Sequence, residues 1–273
     1  MDVTDRPWLV CVATAHELRP LKRCFGLMPT TRSDSVPCFE GRAGRHRLMV
    51  LQTGIGPDRA RRAVATWLEQ RMCRGVVSVG VSGGLQGALG TGVLVIGDRW
   101  IRIEARAVHD QDELLRHIGP PADRRLRGAA ILAAGRCGVA VHEGILATAE
   151  QLIGTVQDKR ALAGRTGALA VDMESGAVAE AAIAAGVAVV AARVILDPAD
   201  EALELSPESF LREDGSPSIW KSGLAVMTGP VQWPVLWNVG RRTTRAMELL
   251  TQWLRRFLEE GPAAAGSEEA RSA

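Results

Sequence analysis

The sequence lacks the features that define several large classes of protein. Its five cysteines are odd in number and none forms a CxxC pair, which argues against a disulfide framework and a zinc site and fits a reducing cytosol. No apolar run reaches the roughly 18 residues of a membrane-spanning helix. The N-terminal residues carry acids and no long apolar core, so we do not expect a signal peptide. The formal net charge is only +2, so bulk electrostatics do not demand a nucleic-acid partner.

The remaining composition is that of a globular, cytoplasmic protein. Hydrophobic residues make up 47% of the 273 positions, which is enough to bury a sizeable core. We predict one domain over residues 1–260, without internal repeats. Residues 261–273 are mostly Ala, Gly, Ser and Glu, and are predicted to be a disordered tail.

Short apolar runs alternate with helical periods along the first 200 residues. The predicted strands are 8–14, 48–53, 76–81, 93–96, 139–146, 168–171 and 187–195, and the predicted helices are 16–25, 60–72, 149–162, 173–185 and 239–258. Runs rich in Val and Ala, separated by helices, indicate an α/β protein with a mainly parallel sheet covered on both faces.

Polar or glycine-rich residues follow several of the predicted strands. They are His16 and Glu17, Gly54-Ile55-Gly56, Ser82-Gly83-Gly84, Asp172-Met173-Glu174, and Asp197. In a mainly parallel sheet, ligands bind outside the carboxyl ends of the strands. Because acids gather there without clusters of Cys or His, the pattern indicates acid–base and hydroxyl-binding chemistry and no metal.

Each of these residues also has a purely structural interpretation. The pair Gly83-Gly84 is typical of a tight turn, and Asp197 before a proline is typical of a turn as well. A carboxylate at Glu174 complements the dipole of the helix that begins there. For Asp172 we favour the role of N-cap, which stabilises a helix by about 1 kcal/mol.

Arg193 stands inside an apolar strand, where a charge is costly unless it has a partner. A buried ion pair with Glu174 or Asp197 would satisfy it, and so would a bound substrate or anion.

Four motifs, in order, resemble the landmarks of one enzyme superfamily. The stretch AVDMESGAVA at 170–179, followed by RVILDPAD at 193–200, resembles the signature pair of the nucleoside phosphorylase and methylthioadenosine/S-adenosylhomocysteine nucleosidase superfamily. Upstream, TGIG at 53–56 and GVSGGL at 80–85 match its other two landmarks. The resemblance covers about residues 8–200. It implies a three-layer αβα fold with a central mixed, mainly parallel, twisted sheet.

The C-terminal portion is similar to the hopanoid-associated phosphorylase branch of that superfamily. The similarity lies in DPAD at 197–200, REDGS at 212–216 and NVGRRTTR at 238–245. That branch is assigned the removal of adenine from adenosylhopane, so we expect release of adenine from a 5′-substituted adenosine. The resemblance implies no metal or organic cofactor, inorganic phosphate as a conceivable co-substrate, and a homodimer. Two alternatives are a methylthioadenosine/S-adenosylhomocysteine or futalosine nucleosidase, and a non-catalytic nucleoside- or lipid-binding module.

The resemblance also implies roles for individual residues. Glu174 would accept hydrogen bonds from the ribose hydroxyls, since a carboxylate offers two acceptor oxygens to a diol. Met173 would pack under the sugar, and Asp197 would share a proton with N7 of the purine. Main-chain groups near Leu152 and Ile153 would hold the edge of the base. The full set of expected substrate contacts is Glu174, Met173, Arg193, Ser82, Gly83, Leu152 and Ile153.

The sequence departs from the family pattern where the nucleophile should bind. Family hydrolases usually place a water-orienting glutamate where this chain has His16, one residue before Glu17. Family phosphorylases often place a hydroxyl residue where this chain has Val81, with Ser82 one place on. Together with Asp197, the residues His16 and Glu17 are therefore the candidate catalytic residues.

An anion site remains compatible with these departures. Ser82, Gly54 and Gly56 would form it with Arg193, because backbone N–H groups in such turns bind phosphate well. Water and phosphate both stay open as the nucleophile, with a slight preference for phosphate.

Residues 201–238 are rich in Trp and Pro and are predicted to choose the substrate. Trp220, Trp233 and Trp237 would either anchor the final helix or form an apolar mouth. Such a mouth would accept a triterpenoid tail, or contact the membrane surface where that lipid resides, because exposed apolar patches mark contact sites.

Overall fold

The computed structural model describes residues 6–30, 36–103, 120–203 and 233–260, with the backbone alone for 115–118 and 233–239. Ten strands are hydrogen-bonded into one sheet. They are β1 (Trp8–Val12), β2 (Met28–Pro29), β3 (Cys38–Ala43), β4 (His46–Gln52), β5 (Val76–Gly84), β6 (Leu94–Ile103), β7 (Leu115–Ile118), β8 (Val141–Ala149), β9 (Ala170–Asp172) and β10 (Val189–Asp197).

The sheet is mixed, and half of it closes on itself. Parallel ladders join β1 to β4 and β5, β5 to β10, and β8 to β6 and β9. Antiparallel ladders join β10 to β6 and β5 to β9. Strands β5, β10, β6, β8 and β9 therefore form a closed ring, so each of these described strands has a neighbour on both sides.

Helices cover both faces of the sheet. They are α1 (Ala15–Phe25), α2 (Pro57–Gln70), α3 (Arg124–Arg136), α4 (Val156–Thr166), α5 (Ser175–Ala184) and α6 (Trp233–Glu260). Apolar side chains of α1, α3 and α6 share one core with one face of the strands, and those of α2 and α5 share a second core with the other face. The predicted fold class, an αβα sandwich around a mixed sheet, is confirmed.

Several boundaries differ from the sequence prediction. Helix α4 begins at Val156, not near residue 149, because Thr155 Oγ1 caps it by accepting a hydrogen bond from Asp158 N at 3.1 Å. Strand β8 instead continues to Ala149. Strands β2, β3 and β7 and helix α3 were not among the elements predicted from the sequence.

The C-terminal helix starts earlier than predicted. Because α6 begins at Trp233, the last residues of the predicted substrate mouth are helical. Trp220, the rest of the mouth from 204 to 232, and the predicted tail lie outside the described residues, as do the side chains of Trp233 and Trp237. None of the helices in the described part of the chain has the length and apolar character needed to cross a membrane.

Candidate active site

A small polar cavity lies at the carboxyl ends of β1 and β4, against the middle of β5 and β10 and beside the start of α5. Its polar lining comes from Glu17, Thr53, Ser78, Glu174 and Arg193. Its volume is about 10 Å³, close to the space that one water molecule requires. Glu17, which follows β1, and Glu174, which follows β9, therefore meet at this cavity.

Glu17 is fixed in the cavity wall by its own helix start. Thr14 and Glu17 form a capping box in which Glu17 N donates to Thr14 Oγ1 and Thr14 N donates to Glu17 Oε2 at 2.9 Å. Ala13 N also donates to Oε2, at 3.0 Å, and Val81 N lies 3.3 Å from Oε1. The carboxylate is thus oriented by backbone donors from the residues after β1 and from within β5.

His16 points elsewhere. Its Nε2 lies 3.2 Å from Thr244 Oγ1 on α6, and it does not line the cavity. Adjacent residues of a helix project about 100° apart, so His16 and Glu17 cannot share one direction. Glu17, and not His16, is therefore the one of the two that lines the cavity.

Glu174 stands at the N-cap position of α5 and reaches the turn after β4. Its Oε1 accepts a hydrogen bond from Gly56 N at 2.9 Å. Gly54 and Gly56 have φ of 83° and 99°, which glycine adopts without the cost that a side chain would add. Burial, and secondarily the nearby Asp172 carboxylate, raises the pKa of Glu174, while the Gly56 N–H opposes that change.

The predicted anion site is therefore not assembled as expected. The amide of Gly56 donates to a carboxylate, and Gly54, Gly56 and Ser82 do not line the cavity. Ser82 is buried on β5, and among the described residues its hydroxyl has no hydrogen-bond partner.

Arg193 is paired with Asp172, so the expected partners Glu174 and Asp197 were wrong. The Nε–Oδ2 distance is 2.5 Å, and both side chains are buried. Asp172 also accepts bonds from Thr148 Oγ1 at 2.8 Å and from Ser175 N at 3.0 Å. Glu174, two residues after Asp172, holds the N-cap position of α5, so Asp172 is not the N-cap residue. Its carboxylate accepts from Ser175 N at the helix start and is also the counter-ion of Arg193.

Asp197 ends β10 at an irregular point of the ladder. The pairing with β5 shifts between Ile195, opposite Ser82, and Asp197, opposite Gly83. Such an irregularity re-aims a side chain. A Cβ atom built on Gly83 would lie 3.2 Å from Asp197 Oδ2, so glycine makes room for the carboxyl group.

Burial is the largest influence on Asp197, which is only 3% exposed. Burial raises the pKa of Asp197 to about 6, against an opposing effect from Lys159. The upward direction is the one that a proton donor requires.

Lys159 is a residue that the sequence analysis missed. It is fully buried on α4 and forms an ion pair with Asp197 Oδ2. A signal was present, because Lys159 lies three residues before the buried Leu162 and so interrupts the buried face of its helix.

Gly83 stands between the two acids expected to hold base and sugar. It pairs with Asp197 of β10 on one side and with Val171 of β9 on the other. Glu174 lies two residues beyond the end of β9, which runs antiparallel to β5, so the chain there leads back along β5 toward Gly80, whereas Asp197 lies beside Gly83. Glu174 lines the cavity together with Gly80, and Asp197 does not line it.

The other predicted contacts lie around the same edge. Met173 is half-buried between β9 and α5, and the loop with Leu152 and Ile153 follows β8. Leu203 N donates to Gly154 O at 2.9 Å, which ties this loop to the chain after Asp197. Among the described residues there is no group of three or more His, Cys, Asp or Glu side chains that could hold a metal ion.

The fold and this site define an α/β enzyme with carboxylates at the carboxyl edge of its sheet. The family comparison is more specific, because residues 7–215 match the model of the Phosphorylase superfamily. The chain belongs to that family, and it is an enzyme of the nucleoside phosphorylase and nucleosidase type.

Individual relatives agree with this assignment. A 5′-methylthioadenosine/S-adenosylhomocysteine nucleosidase of Haemophilus influenzae (strain 86-028NP) is 29% identical over 205 residues, which cover 73% of this chain and 89% of the relative. The structure of a Helicobacter pylori variant of such a nucleosidase with 5′-methylthioadenosine in its active site matches with a TM-score of 0.72 at 16% identity, covering 93% and 99% of the two chains. The futalosine hydrolase of Helicobacter pylori matches with a TM-score of 0.73 at 17% identity, covering 95% and 100%. The two structural matches show a shared fold.

Proposed function

We propose that this enzyme breaks the N-glycosidic bond of a 5′-substituted adenosine and releases adenine. The observation that carries the proposal is that two strands pairing with Gly83 of β5 place the two acids, Asp197 as the last residue of β10 and Glu174 two residues after the end of β9. One acid can face the base and the other the sugar of a single nucleoside bound along β5.

The two acids suit their proposed roles chemically. Asp197 would donate a proton to N7 as the C1′–N9 bond breaks, because the leaving purine gains negative charge. General acid catalysis of this kind contributes typically about 10²–10⁴-fold. Glu174, held by Gly56 N, would accept hydrogen bonds from the ribose diol, and Met173 would pack under the ring.

We infer that water, and not phosphate, attacks C1′. Two observations support this inference over the slight preference for phosphate drawn from the sequence. Two acidic side chains, Glu17 and Glu174, line the cavity and disfavour an anion there. Arg193 brings no uncompensated positive charge, because Asp172 neutralises it. In the proposed step the water oxygen bonds to C1′, adenine leaves with the proton from Asp197, and Glu17 takes the proton of the water.

The proposed 5′ substituent is the triterpenoid of adenosylhopane. The resemblance of residues 197–200, 212–216 and 238–245 to the hopanoid-associated branch supports it. The names of the relatives favour a second candidate, 5′-methylthioadenosine or S-adenosylhomocysteine. Both candidates share the bond that is cleaved and differ only beyond the 5′ carbon.

A direct assay separates these candidates. The protein is incubated with adenosylhopane, 5′-methylthioadenosine, S-adenosylhomocysteine or futalosine, with and without phosphate, and the released base and sugar are identified by mass spectrometry. We expect adenine from adenosylhopane, free ribosylhopane as the sugar product, and no dependence on phosphate. A phosphorylated sugar would show that phosphate attacks, and efficient turnover of only the small nucleosides would contradict the hopanoid assignment.

Asp197→Asn provides the control for catalysis. We expect a loss of adenine release of at least about 100-fold, with adenine still bound in isothermal calorimetry. A wild-type protein that binds nucleoside and turns over none of the four substrates would favour the binding-module alternative.

We further propose that the enzyme is a homodimer that meets its lipid substrate at a membrane surface. The family resemblance supports the dimer, and the Trp- and Pro-rich composition of 201–238 supports the membrane contact. Light scattering should give twice the mass of one chain, and sedimentation with lipid vesicles should carry part of the protein down. A monomer that stays in the supernatant would contradict both proposals.

A further inference from the structure

We propose that Lys159 is a positioning residue that holds the loop carrying Asp197 and places a positive charge against that acid, which makes Asp197 a stronger proton donor to the leaving base. This inference rests on the proposed function, because it gives Lys159 a role through the acid that protonates adenine.

The surroundings of Lys159 are unusual for a lysine. Its side chain is completely buried, whereas a lysine is almost never buried without partners. Its Nζ donates to Pro198 O at 2.8 Å and to Glu201 O at 2.7 Å, and it forms the ion pair with Asp197 Oδ2. A fourth oxygen, Asp197 O, lies 3.4 Å away. The chain from 197 to 201 therefore wraps around one ammonium group.

The number of acceptors allows Lys159 to serve both states of Asp197. An ammonium group has three N–H donors, and three of the four surrounding oxygens are main-chain carbonyls. Lys159 thus stays hydrogen-bonded when Asp197 is protonated. When Asp197 has given its proton away, the new carboxylate is already in contact with a positive charge.

Burial and the charges of two neighbouring side chains shift the pKa of Asp197 in known directions. Burial raises the pKa of Asp197, Lys159 from α4 lowers it, and Glu201 from the following loop raises it. Glu201 is itself paired with Arg242 of α6. Burial without Lys159 would leave Asp197 protonated but a poor donor, so the lysine sets the balance between holding the proton and releasing it.

A purely structural role for Lys159 makes a different prediction. If the lysine only holds the loop, its loss should lower activity at every pH alike. If it acts through the charge of Asp197, its loss should also move the pH at which Asp197 titrates.

Three variants separate charge from hydrogen bonding. Lys159→Met removes both, Lys159→Gln keeps N–H donors without the charge, and Lys159→Arg keeps the charge. We expect the descending limb of kcat/KM against pH to move to higher pH by at least about one unit in Lys159→Met and Lys159→Gln. In Lys159→Arg this limb should stay near its wild-type position. Maximal kcat should fall at least about fivefold in the neutral variants. An unmoved limb in a folded Gln variant would overturn the inference.

A double-mutant cycle tests the route of the effect. In the Asp197→Asn background, Lys159→Gln should cost less than twofold further in kcat/KM, because the acid that it acts on is gone. A further loss as large as in the wild-type background would overturn the inference.

A titration keeps this inference separable from the proposed function. The carboxyl band of Asp197 in infrared difference spectra, assigned by its absence in Asp197→Asn, should titrate at higher pH in the Lys159→Gln variant, whether or not the protein turns over a nucleoside. A wild-type protein without nucleosidase activity would overturn the proposed function alone. An unchanged Asp197 titration would overturn the role of Lys159 alone.

Discussion

At the scale of single residues, the site consists of carboxylates with different partners. Glu17 is held by backbone N–H groups, Glu174 by Gly56 N, Asp172 by Arg193, and Asp197 by Lys159. Acids in different environments can hold different protonation states at one pH, which lets one site bind a diol and donate a proton.

The role of Glu174 is testable with a substrate that lacks one hydroxyl. Glu174→Gln should reduce kcat/KM for 5′-methylthioadenosine roughly tenfold, because an amide offers one acceptor oxygen where a carboxyl group offers two, and a hydrogen bond contributes about 0.5–1.5 kcal/mol. It should also reduce the discrimination against the 2′-deoxy analogue, which Asp197→Asn should leave intact. Steady-state kinetics measure the preference for the nucleoside over its 2′-deoxy analogue. If wild type and Glu174→Gln showed the same preference, the ribose diol would not bind at Glu174.

The titration of Asp197 predicts the alkaline side of the pH profile. Burial raises its pKa to about 6, and the protonated form is the one that donates. The protonated fraction falls as the pH rises through that value, so kcat/KM should fall by up to about tenfold per pH unit above pH 6. A profile that stays flat up to pH 8.5 in stopped-time adenine assays would exclude Asp197 as the essential acid.

At the scale of elements, β5 is the strand around which the site is built. It pairs with β1, β9 and β10. Two of its glycines, Gly80 and Gly83, lie against the carboxyl groups of Glu17 and Asp197. A Cβ atom on Gly80 would lie 2.8 Å from Glu17 Oε1, and one on Gly83 would lie 3.2 Å from Asp197 Oδ2. The glycines of the landmark motif are explained here by the space that two carboxyl groups occupy.

Gly80→Ala should therefore act on catalysis more than on folding. The new methyl group would displace the Glu17 carboxylate from the cavity, so we expect kcat to fall at least about tenfold, with KM changed less. Gly87→Ala is the matched control, because a Cβ atom there meets nothing within 4 Å. Similar kinetics for the two variants would show that Glu17 is not needed where the structure places it.

At the scale of the whole molecule, helix α6 packs against strand β1 and helix α3. Trp253 is buried, stacks on Phe257 with ring centroids 5.4 Å apart, and donates to Ala130 O of α3 at 2.9 Å. Phe257 in turn meets Trp8 of β1, edge to face at 5.7 Å. The C-terminal helix is thus part of the core on its face of the sheet.

Trp253→Ala should lower the free energy of unfolding by about 3–5 kcal/mol, as large core truncations do. Leu132→Ala on α3 is the control, because Leu132 is 66% exposed and surface substitutions usually stay within about 0.5 kcal/mol. Urea denaturation followed by circular dichroism measures both. If Trp253→Ala and Leu132→Ala had equal urea midpoints, α6 would not belong to the cooperatively unfolding core.

The sequence by itself determined the fold class, the edge of the sheet that carries the acids, and the family. It could do so because the landmark motifs are local, since each lies at a strand or within a few residues of one. Parallel pairing brings the carboxyl ends of β1, β4, β5 and β10 to one edge, whereas β9, which precedes Glu174, runs antiparallel to β5. It also marked Glu17, Glu174 and Asp197 as candidates.

Only the tertiary structure decided which partner each of these side chains has. Asp172 lies 21 residues from Arg193, and Lys159 lies 38 residues from Asp197, so strand order and a ladder irregularity, not local spacing, bring each pair together. The choice of Glu17 over His16 depends on which way a helix is rotated against the sheet. Packing sets that rotation, because a core admits only one close-packed arrangement of its side chains.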